Sequence, residues 1–438
     1  MQNPSRTSSP LRFRCTSVRR SVWATLVALA LASPLGAGQN SPAAVSITLH
    51  QAIQLALQHN QTLKAAQTGI QESQADQITA SLRPNPVFTY DDLFVPIVPS
   101  QFNGTNLNNI TEFDVGASYT FERGHKRQAR MKAARDQTTV TRSLVNNDAR
   151  ALTYDVAQQF VSALLAKSNL QFAQRDLASF QKTVNLSEAQ YKAGAISEGD
   201  LLKIKLQRLQ FQTDVSQARL ALAQALAGLR QLVGFDSVPS NYGVIGHLAY
   251  QPLHGNREDF ESLALKTRPD LAAAKQGVLA AQSNYGLQKA NGKRDITTSL
   301  YYTHVSAINS ASFIFNMQIP IFDRNQGNIA LAHYGVTQSQ ENEAAVEQAV
   351  LTDVTSAYQA VQTNAKIVRL YDSGYLRQAK DSLEISQYAY QRGAVSLLNF
   401  LDAERSYRST ELAYRQSLAN YMLSLEQLRE AVGTRTLP

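Results

Sequence analysis

The chain has 438 residues, with 42 Lys and Arg against 34 Asp and Glu and a formal net charge of +8. Five of those cations, Arg6, Arg12, Arg14, Arg19 and Arg20, fall in the first twenty residues with no acid near them, and without that segment 37 cations face 34 acids. A balance so close to neutral, spread along the chain, leaves no electrostatic footprint for nucleic acid and excludes it as an expected partner.

The cationic start is followed by an apolar run, 22–32, and then by the small residues Ser33, Pro34, Gly36, Ala37 and Gly38. This order predicts a cleaved secretory signal peptide over 1–38, because the run is too short for the roughly twenty residues a membrane helix needs. Cys15, the single cysteine, precedes the run and is badly placed for a lipid anchor, so 39–438 has no cysteine and no disulfide. No apolar stretch of spanning length follows, so any membrane crossing must be made by strands.

Beyond the signal, Leu55, Leu57 and Leu63 belong to a first helical stretch. A strand is predicted over 87–98 with Phe88 and Tyr90, followed by an Asn-rich polar loop at 103–109. Over 112–122, Phe113, Val115, Ala117, Tyr119 and Phe121 alternate with polar or small residues, a period of two across the length a membrane strand requires. From 125 to 193 there is neither glycine nor proline, and Val156, Phe160, Leu164, Leu170, Leu177 and Val184 recur at helical spacing. That helix would be on the order of 100 Å long, far too long for a compact domain. A glycine turn at Gly194 sends the chain back through Leu222, Leu226, Leu229 and Val233, giving a helical hairpin over about 125–232.

The same order then repeats. The turn Tyr191, Gly194, Ser197 matches Tyr390, Gly393, Ser396 at an offset of 199, and the match runs on without a gap to Gly234 and Gly433. The chain therefore divides into a first repeat over 39–234, a Gly/Pro-rich linker over 235–257 and a second repeat over 258–438. In the second, strands are predicted over 296–305 (Tyr301, Tyr302) and 312–322 (Phe313, Phe315, Met317, Ile319, Ile321). One long helix over about 326–390, with Val346, Val350, Val354, Ala357 and Val361 as its stripe, opens a hairpin ending near 432. Four strands cannot close a barrel alone in lipid, so several chains must share one. The helices by themselves also fit a periplasmic coiled-coil structural or adaptor protein, and a half-buried soluble sheet is the alternative for the strands.

This duplicated unit, together with 121–127 (FERGHKR), 319–327 (IPIFDRNQG), 267–271 (TRPDL) and the two Tyr-x-x-Gly-x-x-Ser turns, resembles the TolC family of outer-membrane efflux proteins, and 322–327 is similar to its heavy-metal cation branch. The resemblance implies a mainly α fold with transmembrane β-strands, in which a homotrimer shares one twelve-stranded β-barrel above an α-helical tunnel. It also implies an outer-membrane location, a periplasmic adaptor and an inner-membrane pump as partners, and a passive exit duct for small molecules or metal ions. On the family pattern, Gly194, Ala195, Ile196 and Ser197 with Gly393, Ala394, Val395 and Ser396 would contact the adaptor, and Asp200, Tyr390, Asn399 and Asp402 would form the periplasmic gate. Asn399 stands where an aspartate is frequent, and Val395 where some members have a latching arginine. No phosphate loop, zinc-protease helix or nucleophile elbow is present, and the seven histidines lack ligand spacing, so no enzyme activity, cofactor or metal site is expected.

Overall fold

The computed structural model describes residues 45–437; the signal peptide expected over 1–38 lies outside the described residues. In chain order, β1 (Ser46–Ile47), α1 (Leu49–His59) and α2 (Gln61–Ser81) precede β2 (Val87–Leu93), a short α3 (Gly104–Asn109) and β3 (Glu112–Phe121). The chain continues into α4 (Lys126–Lys192), which returns as α5 (Glu198–Val233). After β4 (Gly243–Val244) come α6 (Arg257–Thr267), α7 (Pro269–Asn291), β5 (Ile296–Val305) and β6 (Ile308–Met317). The second hairpin is α8 (Gln326–Leu370), a π turn (Tyr371–Tyr375), α9 (Leu376–Gln391) and α10 (Leu397–Val432).

The two halves use matching local devices. His125 (φ 58°) and Asn325 (φ 63°) take left-handed backbone immediately before α4 and α8, which turns a strand end abruptly into a long helix. Thr48 caps α1 and Asn256 caps α6, each accepting from the backbone N–H three residues on. Most of the apolar stripes read from the sequence are buried, with Leu170, Leu177, Leu222, Leu226 and Val346 half-buried. Val156, Phe160, Leu164, Leu229 and Val233 pack with Ile53, Ala56 and Leu63 of α1 and α2, while Val350, Val354, Ala357, Val361, Leu428 and Val432 pack with Phe260, Ala264 and Leu271 of α6 and α7.

Strands β2, β3, β5 and β6 form one antiparallel four-stranded sheet in that order. Residues directly opposite in such a sheet share a face. One face therefore carries Phe88, Ala117, Leu300 and Phe313 in one row and Tyr90, Val115 and Tyr302 in the next. Phe88, Phe313 and Phe315 lie 72–73% exposed on it. The opposite face carries Asp114, Ser118, Thr120, Thr297, Ser299 and Thr303, with Thr120 and Thr297 hydroxyls 2.9 Å apart and Thr303 donating to Asp114. An exposed aromatic face backed by a hydroxyl-lined one is the arrangement of a wall between lipid and a wet lumen. No described helix is long and apolar enough to cross a membrane.

Several expectations need correction. The first strand stops at Leu93, not 98, because Phe94 turns to φ 56° and Pro96 and Pro99 cannot donate to a ladder. The Asn-rich loop contains a helical turn, since the Asn103 side chain accepts from Asn106 N–H and caps it. The last strand runs over Ile308–Met317 instead of 312–322: Ser306 (φ 52°) and Ala307 (φ 60°) make a two-residue turn that starts it early, and Pro320 lies beyond its end. The second long helix is interrupted at the π turn by Gly374 (φ 132°). Residues 235–257 are more than a linker, because β4 pairs in parallel with β1, Val238, Tyr242 and Val244 enter the first core, and Tyr242 donates to Leu226 O at 2.6 Å.

Candidate functional site

Both hairpins end in the same backbone motif. At the first, Gly194 N–H donates to Tyr191 O (2.9 Å) and Ala195 N–H to Gln190 O (2.8 Å); at the second, Gly393 N–H donates to Tyr390 O (3.0 Å) and Ala394 N–H to Ala389 O (2.8 Å). This pair of bonds closes the last carbonyls of a helix around a residue in left-handed conformation, and the glycines supply it at φ 73° and 72°. Space is not the constraint, since a Cβ at either glycine would meet nothing within 4 Å. Ser197 and Ser396 then cap the returning helices by accepting from Asp200 N–H (3.1 Å) and Asn399 N–H (3.3 Å). Gly194, Ala195, Gly393 and Ala394 are exposed, Ile196 is half-buried, and Val395 packs against the core beneath the tips.

That core is shared by the two hairpins: Phe180, Val184, Ile204 and Phe211 of the first meet Tyr390, Leu397 and Phe400 of the second. Phe180 stacks on Phe211 at 4.5 Å and Tyr390 on Phe400 at 5.3 Å. The repeats diverge here, for Tyr191 is 41% exposed while Tyr390 is 6% exposed. The Tyr390 hydroxyl is buried without a hydrogen-bond partner among the described residues, so within this chain its hold on the tip comes from the stacked ring.

The other expected gate residues sit at the surface. Asp200 accepts from the Ser197 hydroxyl (2.9 Å) and pairs with Lys203 at 3.4 Å, which makes it a capping residue as well as a charge. Asn399 and Asp402 are exposed one turn apart at the start of α10. Above the tips lies a cluster the sequence did not reveal, where Arg408 of α10 reaches Asp176 of α4, Asp214 of α5 and Glu404 of its own helix. Among the described residues, no group of three or more His, Cys, Asp or Glu is placed to hold a metal ion.

Residues 52–235 and 261–434 match the family model described as Outer membrane efflux protein. The chain belongs to that family. Among its relatives, the cobalt-zinc-cadmium resistance protein CzcC of Cupriavidus metallidurans is 24% identical over 377 residues, covering 85% of this chain and 86% of that one. The cation efflux system protein CusC of Escherichia coli is 28% identical over 300 residues, covering 63% of this chain and 62% of its own length. A crystal structure of CusC superposes with a TM-score of 0.72 at 23% identity, over 89% of this chain and 93% of that one. The open-state MtrE outer membrane channel of Neisseria gonorrhoeae gives 0.73 at 20% identity, over 88% and 89%. As an outer membrane efflux protein, this chain is a channel component whose four-stranded sheet belongs to the outer membrane and whose hairpins belong to the periplasm.

In this efflux protein Tyr390→Phe is expected to raise thermal stability by roughly 1 kcal/mol, because a buried unpaired hydroxyl is removed while the ring stack stays. Tyr390→Ala, which abolishes the stack on Phe400, should lower it. Heat unfolding of the detergent-solubilised protein separates the two outcomes; a destabilised Tyr390→Phe would mean that the hydroxyl is bonded after all.

Proposed function

We propose that three copies of this chain close one barrel and act as the passive exit duct of a tripartite efflux assembly, with metal cations as cargo. The observation that supports it is the four-stranded sheet, whose outer strands β2 and β6 each leave one edge unpaired. An open edge is untenable in lipid, and pairing β6 of one copy with β2 of the next satisfies both. Support for metal cargo comes from the chain's similarity to the cobalt-zinc-cadmium resistance protein CzcC and the cation efflux system protein CusC. The exposed turns at Gly194–Ser197 and Gly393–Ser396 are then the docking points for a periplasmic adaptor that connects the duct to an inner-membrane pump. No chemistry is assigned to the chain, since a duct only needs to pass its cargo.

Three copies of Asp402 around one axis at the tunnel end would make a cation-attracting ring, weakened by Asn399 one turn away. In planar bilayers Asp402→Ala should reduce cation preference and relieve block by multivalent cations, and Asn399→Asp should strengthen both. Wild-type selectivity and block in both variants would remove these residues from the gate. A protein that forms no conducting pore at all would sink the duct itself.

A further inference from the structure

Charge is concentrated where the strands give way to helices. Segments 121–132, 289–295 and 323–324 hold nine Lys or Arg and three Asp or Glu, an excess of six, whereas 39–438 as a whole has an excess of only three. The acids there are already engaged: Asp295 pairs with Lys126 at 2.8 Å, Glu122 with Arg130, and Asp323, 80% exposed, lies 3.8 Å from Arg294. Arg123, Lys289, Lys293 and Arg324 have no carboxylate partner among the described residues, and all four are exposed. Together with Arg294 they surround one open cavity of about 650 Å³, with Gly292 and Ile329 among its walls. Beside it Ile319, Ile321 and Phe322 are 76%, 62% and 89% exposed. The cavity lies just past Phe121 and Met317, where β3 and β6 end, and just before Ile296, where β5 begins. In an outer membrane efflux protein that level is the periplasmic leaflet.

Four cations without a carboxylate partner, held beside the Arg294–Asp323 pair next to lipid, repel one another unless an anion joins them, and exposed apolar side chains alongside call for acyl chains. A free phosphate supplies the first without the second, and the amine of a zwitterionic headgroup would oppose the field. We propose that this cavity binds the phosphate of an anionic glycerophospholipid of the periplasmic leaflet, whose acyl chains lie over Ile319, Ile321 and Phe322. The lipid would complete the join between barrel and tunnel. This inference stands on the outer-membrane location and holds whatever the duct carries.

The test reconstitutes the full-length protein in nanodiscs of phosphatidylethanolamine with a minor share of phosphatidylglycerol and counts the lipids retained per chain by native mass spectrometry. Phosphatidylglycerol should be retained in excess of its share, fall away as NaCl is raised, and resist displacement by inorganic phosphate. The triple variant Arg123→Gln, Lys293→Gln, Arg324→Gln should lose at least tenfold of that preference, given roughly fivefold per cation at an anionic surface, with its assembly mass unchanged. The single exposed Lys293→Gln should lose part of it and serves if the triple variant does not fold. Equal retention of the two lipids, displacement by inorganic phosphate alone, or full retention by Lys293→Gln and the triple variant would overturn the proposal. So would a triple variant with altered assembly mass, which would place these cations against a neighbouring copy.

Discussion

Replacing Arg408 with methionine is expected to destabilise the periplasmic hairpins by about 3–5 kcal/mol, the penalty of leaving buried charges uncompensated. Its Nε lies 2.7 Å from Asp176 Oδ2 and 3.4 Å from Glu404 Oε1, ion pairs without hydrogen-bond alignment, and its outer nitrogen pairs with Asp214. The guanidinium also sits 4.2 Å over the Phe211 ring. None of the four charged side chains is more than 23% exposed. Removing the cation leaves three carboxylates on three helices facing each other in a poorly solvated site, and methionine keeps the volume filled, so the loss reports charge and not packing.

The same cluster gives a pH dependence. Acids outnumber cations, and burial pushes Glu404 up to about 7 and Asp176 up to about 6 despite the pull of Arg408. Both values lie above the ordinary carboxylate range, so the folded protein holds these protons more tightly than the unfolded chain does. Their stabilisation is complete below about pH 4 and is lost as pH rises through about 6 and then about 7. Heat unfolding in detergent should therefore give a lower midpoint at about pH 8 than at about pH 5, and Glu404→Gln should flatten the difference. An Arg408→Met protein as stable as wild type, or a midpoint that rises with pH, would show that the cluster is solvated and contributes little.

The second large effect is on transport. Changing both Gly194 and Gly393 to valine should abolish efflux while the protein still assembles and reaches the membrane. At φ 73° and 72° a β-branched residue is strained by about 1–2 kcal/mol, and the cheapest relief is to unwind the turn and misplace Ala195 and Ala394. Nothing packs on either glycine, so the damage stays at the tip. The readout is growth of a strain lacking the native gene, complemented with the double variant, on the toxic compounds against which the wild-type gene protects it. Full resistance would remove the turns from docking.

Much of this architecture was readable because it rests on strong local signals. The glycine-free 67 residues of α4, period-two strands and a gapless internal repeat each leave a pattern that needs no tertiary context. What escaped was decided by weaker or distant signals. The β5–β6 turn is built from Ser306 and Ala307, without the Asn-Gly or Asp-Gly that usually marks it, so the alternation through Ile319 and Ile321 drew the strand too far. The π turn has only Gly374 to announce it. Burial of 235–257 depends on apolar residues spaced too irregularly to suggest a core. Of the Arg408 cluster only the pair Glu404 and Arg408, one turn apart, is visible in the sequence; Asp176 and Asp214 arrive from other helices. At the tips, the residue types of the Schellman turns and serine caps were legible, but the difference between the exposed Tyr191 and the buried Tyr390 was not, since it depends on how the two hairpins pack around their shared core.

Sealing the two open sheet edges in lipid requires several chains to share one barrel. Mass measurement of the detergent-extracted, heat-untreated protein, with detergent and lipid contributions subtracted, should give three chains. A single chain that keeps its strands and conducts would contradict it, because one four-stranded sheet would then be sealing its own edges.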